Sequence, residues 1–162
     1  MAKKINPAPF AIVIGIAVIL QLALIGIDCQ QTPDSVARNF TEAYYSLNPD
    51  MQDYLCASLV DKGVVDQYLY RKKQEASERG YSTNYLRRAF TKLHINAEEA
   101  GDATMTFHVH GTTRTCINRP FMIVGKLFGL ARDYSVDDHI DMVKENGRWR
   151  VCGNPFGMDS GE

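Results

Sequence analysis

The chain has 162 residues, with 18 Lys and Arg against 19 Asp and Glu, a formal charge of -1 and 45% hydrophobic residues. Near-neutral charge without a clustered basic footprint excludes a nucleic-acid partner. No catalytic motif, phosphate-cradling loop or zinc-ligand spacing occurs, so nothing calls for a cofactor and the residues favour binding over catalysis.

In chain order, residues 10–27 come first. They read FAIVIGIAVILQLALIGI, with Gln21 as the one polar side chain. About 20 apolar residues cross a bilayer core as a helix, so this run predicts a transmembrane anchor. Lys3 and Lys4 precede it and Asp28 and Asp34 follow, which places residues 1–9 in the cytoplasm and the rest outside. A cleaved signal peptide is the competing reading. Against it stand the length of the apolar core and the lack of a small-x-small site before Asp28 or Cys29. About 135 residues remain beyond the anchor, enough for one domain with its own core. The expected layout is a linker over 28–33, an extracytoplasmic domain over 34–153 and a tail over 154–162.

Thr32-Pro33-Asp34 is a helix start: a hydroxyl cap, proline in the first turn and an early acid. Val36, Phe40, Tyr44 and Leu47 then give one apolar face. Asn48-Pro49 ends this helix and opens a second, with Met51, Leu55 and Leu59 on one side and Cys56 beside them. A third helix is predicted from about Asp61 or Val64 to Arg79, stopped by Gly80. The period next changes to two. Leu93, Ile95 and Ala97 alternate with polar residues, as do Met105, Phe107 and Val109, which predicts a hairpin. A five-residue loop over 98–102 would set Leu93 opposite Phe107 and Ile95 opposite Met105, and Gly111 suggests a bulge. Ile140 and Met142 lead to Asn146-Gly147, a strong two-residue hairpin signal, which pairs Lys144 with Trp149 and Met142 with Val151. The sum is α+β: helices packed on a four-stranded antiparallel sheet.

Three groups of side chains stand out. Asp138 shares the parity of Ile140 and Met142, so it is expected to point inward, where a dry carboxylate could act as a base. His94, His108 and His110 share the polar face of the first hairpin and are weak candidates for a transition-metal site, since no carboxylate is evident beside them. The connection PFMIVGKLFGLA, residues 120–131, is long and apolar. Two readings remain open for it: a short helix closing the domain, or a contact through Phe121, Ile123, Leu127 and Phe128 with the bilayer surface or a partner.

The order of parts, with TPDSVARNFTEAYYSLNPDMQDYLCASL at the start and KENGRWRVC at the end, resembles the nuclear-transport-factor-2-like (cystatin-like) superfamily, in its small lipoprotein-like type. The resemblance covers residues 32–153. It implies a curved sheet wrapped around a helix as a cone, with Tyr44, Tyr54, Tyr68, Phe107, Asp138 and Trp149 lining the cavity. Cysteines occur in some of its members where Cys56 and Cys152 stand, which implies a disulfide between them. Strict strand alternation counts against that pair, and Cys116 with Cys152 is the alternative. An anchor before such a domain also resembles the scaffold subunit of type IV secretion machines. The expectation is a membrane-anchored, non-enzymatic binding or assembly module, partnered by the bilayer and by an envelope protein or a second copy. The alternative is a small-molecule-binding protein or enzyme that uses the cone with Asp138 as base.

Overall fold

The computed structural model of the chain describes residues 31–117, 124, 127, 128 and 132–158. The anchor expected over 10–27, and Phe121 and Ile123, lie outside the described residues. Among the described residues, no helix is long and apolar enough to cross a membrane.

Helix α1, Pro33–Tyr45, starts on Thr32, whose hydroxyl accepts from Ser35 N–H at 3.3 Å. It ends where Leu47 turns left-handed (φ 54°) and Asn48 N–H donates to Ala43 C=O at 2.9 Å. Asn48 then caps the next segment by accepting from Asp50 N–H. The predicted second helix is a 3-10 turn, Pro49–Tyr54, followed by a short helix α2, Ala57–Val60. Between them Leu55 and Cys56 are extended and run beside the last strand, as a parallel bridge from Leu55 to Val151. Helix α3, Val64–Glu78, begins after Gly63 and stops at Gly80 (φ 75°), with Tyr81 N–H closing on Ala76 C=O.

Four strands follow as a meander: β1 Arg88–Ala100, β2 Thr104–Thr115, β3 Asp133–Glu145 and β4 Arg148–Cys152, all antiparallel, in that spatial order. The Asn146-Gly147 turn sets β3 and β4 in the expected register, Lys144 opposite Trp149 and Met142 opposite Val151. The first hairpin is corrected. Its strands run further toward the turn, the loop shortens to residues 101–103, and Ile95 faces Val109 while Leu93 faces Gly111. The displacement is an even number of residues, so the apolar set keeps its face. Two bulges in β1, at Thr91 and Glu98, absorb the difference.

Gly111 is therefore not itself the bulged residue; it lies across from Leu93, two residues along β1 from the Thr91 bulge. A Cβ there would overlap the Lys92 carbonyl oxygen. Because the obstruction is backbone, no rotamer change relieves it, and Gly111→Ala should destabilise the domain by about 2 kcal/mol. Chemical denaturation measures this; an unchanged midpoint would show that the two strands can part without cost.

The core lies between α1 and the inner sheet face. Val36, Ala37, Phe40, Met51, Val109 and Val151 are fully buried. The C-terminal segment, expected as a tail, belongs to this core: Pro155 and Met158 are buried, and Phe156 packs against it.

Candidate functional site

Two surfaces carry chemistry: the interior of the α1-sheet sandwich and the outer face of the sheet. Inside, the side chains expected to line a cavity pack against one another. Tyr44 stacks on Tyr68 with ring centroids 4.9 Å apart. Phe156 contacts Phe40, Tyr44 and Tyr68 at 6.4, 6.0 and 5.1 Å. The Tyr44 hydroxyl donates to Met158 C=O at 2.5 Å, so its one polar atom is satisfied by the chain's own end. Phe107 is buried with them, and Tyr54 and Trp149 are half-buried against the same cluster. Burial, helped by the neighbouring Tyr44, pushes the Tyr68 phenol far above its ordinary value. It stays neutral at any working pH.

Asp138 does point inward. It is half-buried and accepts a hydrogen bond from the Tyr45 hydroxyl at 3.1 Å. Burial first, and then the Asp138 charge, push the Tyr45 phenol far up, while Arg88 pulls it the other way. Arg88 lies over the Tyr134 ring at 4.1 Å, and its buried Nη1 makes no hydrogen bond among the described residues. Beside Arg88 a cleft of about 590 Å³ runs between α1 and the start of β1, bordered by Asn39, Glu42, Tyr54 and Cys116. Of the expected cavity-lining residues only Tyr54 borders this cleft; Asp138 is engaged by Tyr45 instead.

The disulfide joins Cys56 and Cys152, with Cα atoms 5.5 Å apart. The objection from strand alternation disappears because Cys56 is not on a helix face. Cys56 N–H donates to Val151 C=O at 2.9 Å, so residues 55 and 56 run alongside β4 and bring the two cysteines to the same side. Glu145 comes within 4.8 Å of both sulfurs, but disulfide sulfurs are not metal ligands, and its carboxylate accepts from Ala57 N–H.

On the outer sheet face the chain's four histidines form one row. His94 faces His110 across β1 and β2, and His108 faces His139 across β2 and β3. Successive ring centroids, 94 to 110 to 108 to 139, are 5.1, 5.2 and 4.8 Å apart. The expected pairing of Leu93 with Phe107 would have set Thr106 opposite His94; the corrected register puts His110 there. Carboxylates, which the sequence reading did not find, are present: Asp137 Oδ1 lies 2.5 Å from His108 Nε2, and Glu98 reaches both His108 Nδ1 at 3.7 Å and His139 Nε2 at 3.2 Å. The hydrogen bond to Asp137 raises His108 above the usual imidazole value and lowers Asp137 below the usual carboxylate value. Glu98 owes its place to the bulge, which leaves it unpaired in β1. His139 was readable as an outward residue of β3. Its partners were not, because the long 116–132 connection sets no register between β2 and β3.

Of the 120–131 segment, Val124, Leu127 and Phe128 are described. Phe128 N–H donates to Val124 C=O at 3.1 Å. Their side chains are 48%, 80% and 68% exposed. No family model matches this sequence, and no curated protein matches it. Among solved structures, a provisionally named NTF2-like transpeptidase from Campylobacter jejuni aligns with a TM-score of 0.44 at 17% identity, over 75% of this chain and 97% of that chain.

Proposed function

We propose that this chain is a membrane-tethered binding or assembly module of the cell envelope, a cystatin-like cone held outside the cytoplasm by residues 10–27, and not an enzyme. The observation that carries the reading is the filled interior. The Tyr44–Tyr68–Phe156 cluster occupies the space a ligand would need, and Met158 seals it. What is left to bind with is the surface, including the open cleft beside Arg88. Leu127 and Phe128 are the two most exposed large apolar side chains among the described residues, which is the mark of a contact waiting for a partner. The Cys56–Cys152 bond supports the extracytoplasmic placement, because such bonds persist in oxidising compartments.

The partner that fits is a protein with a complementary apolar pocket. Each of the two side chains contributes about 2 kcal/mol when fully buried, so losing both should weaken the complex by roughly 100-fold or more. A photo-crosslinker placed at Val124 in the membrane-embedded chain should trap one protein, and Leu127→Ser with Phe128→Ser should abolish the adduct. An undiminished adduct in the double variant would end this reading.

A further inference from the structure

The sheet ends on β1, whose one strand neighbour among the described residues is β2. Gly101 N–H donates to Thr104 C=O, and Lys144 N–H to Ala103 C=O, so the even-numbered residues of β2 turn their backbone groups toward β1. Thr112, His110 and His108 meet Lys92, His94 and Asn96 there. The intervening Leu93, Ile95 and Ala97 therefore turn their N–H and C=O groups away from β2, to the free edge. Among the described residues, no hydrogen bond from outside the sheet reaches them. Bulges at Thr91 and Glu98 bound this stretch, and between them the pairing is regular. The side chains of Leu93, Ile95 and Ala97 continue the inner apolar face. Leu93 and Ile95 rest on the core, while Ala97 is exposed. A regular edge with unused backbone groups is a template for another strand.

We infer that the free edge of β1 is a self-association surface, on which a second copy of this chain pairs antiparallel with Ile95 on the two-fold axis. The strand's complementarity to itself identifies the partner. Around that axis Lys92 faces Glu98 of the partner subunit, Leu93 faces Ala97, His94 faces Asn96, and Ile95 faces its own copy. Opposite charges meet on the outer sheet face, where Glu98 is held beside His139 at 3.2 Å. Apolar side chains meet on the inner face and cover Ala97. Such cross-strand pairs stabilise a sheet, and a two-fold axis forms each of them twice except the central one. Leu93, Ile95 and Ala97 supply the hydrogen-bonded pairs, so the edge groups of one copy close on those of the other. The axis cannot move by one residue, because His94 and Asn96 give their backbone groups to β2. Moved by two, to Leu93 or to Ala97, it would set Ile95 against Thr91 or against Glu99. The inference is independent of the proposed partner contact through Leu127 and Phe128.

Sedimentation of the full-length chain in density-matched detergent, over a range of concentrations, tests it together with amide hydrogen exchange. A reversible dimer is expected, and the amides of Leu93, Ile95 and Ala97 should exchange more slowly as it forms. Lys92→Glu turns each attractive pair with Glu98 into a repulsive one and should weaken the dimer by about tenfold or more. Adding Glu98→Lys to that variant should restore it. Ala97→Pro removes an edge N–H that β2 does not use, a place where proline is tolerated, and should abolish the dimer while the monomer stays folded. Thermal melts check the fold of each variant, and the charge variants decide the matter if the proline variant does not fold. A monomer at every concentration would overturn the assignment. So would a dimer that survives both Lys92→Glu and Ala97→Pro, or one that leaves the three amides exchanging freely, since it would use another surface, residues 10–27 included.

Discussion

Replacing Cys56 and Cys152 together by alanine should lower the unfolding free energy of the domain by about 4 to 5 kcal/mol. The two residues are 96 positions apart, so the bond closes the domain from α2 to β4 into one loop. In the chain-entropy account, a cross-link over about 100 residues removes about 4.7 kcal/mol of freedom from the unfolded chain. Cys56 is 1% exposed, so its loss also leaves a small void. The effect is large because of what the bond ties together. It fixes the extended Leu55–Cys56 link to β4, the short edge strand of the sheet. Without it, the 3-10 turn and α2 are still held to the sheet by the Leu55–Val151 bridge, the Ala57 N–H bond to Glu145, the Arg150 contact with the Asp53 carbonyl and the burial of Met51. Urea denaturation with and without reductant reads the effect. The parent should lose most of its stability on reduction and the double variant should be indifferent to it. A parent midpoint that does not move on reduction would refute the expectation, and with it one support for an extracytoplasmic location.

The sequence carried the helices and the sheet because local chemistry specifies them. Thr32 and Pro33 start α1, Gly80 stops α3, and Asn146-Gly147 fixes one hairpin to the residue. It failed where specification is not local. The first hairpin kept its faces but not its register, since Glu98 to Asp102 reads equally well as a loop or as strand plus bulge. The helix predicted around Cys56 gave way to an extended link, because pairing with β4 outweighs the propensity of a short segment. Inner and outer sheet faces could be assigned by parity, so Asp138 was placed correctly. Which outer residues meet across strands could not, so Glu98, Asp137 and His139 escaped notice beside His108. Phe156 and Met158 follow the last strand without any periodicity of their own, and only the three-dimensional fit reveals them as part of the interior.

Phe40→Ala should cost about 3 to 5 kcal/mol, the range for deleting a buried phenyl ring, and its rescue distinguishes the two functions the fold could serve. Phe40 is 0% exposed, with the rings of Tyr44 and Phe156 6.2 and 6.4 Å away. Neither neighbour can follow it inward easily. Tyr44 is held by its hydrogen bond to Met158, and Phe156 also rests on Tyr68. A void walled by carbon should therefore remain, and such voids stay dry and admit benzene. At ten times its dissociation constant, benzene would return about 1.4 kcal/mol of stability to the variant. Thermal melts of parent and variant, each with and without benzene, measure both effects. A parent that ignores benzene while the variant gains from it means that the protein's own aromatic rings already fill the space between α1 and the sheet, as a binding surface requires and a ligand pocket does not. If the parent is stabilised as much as the variant, the interior already has room for a guest, and the small-molecule reading replaces the assembly reading.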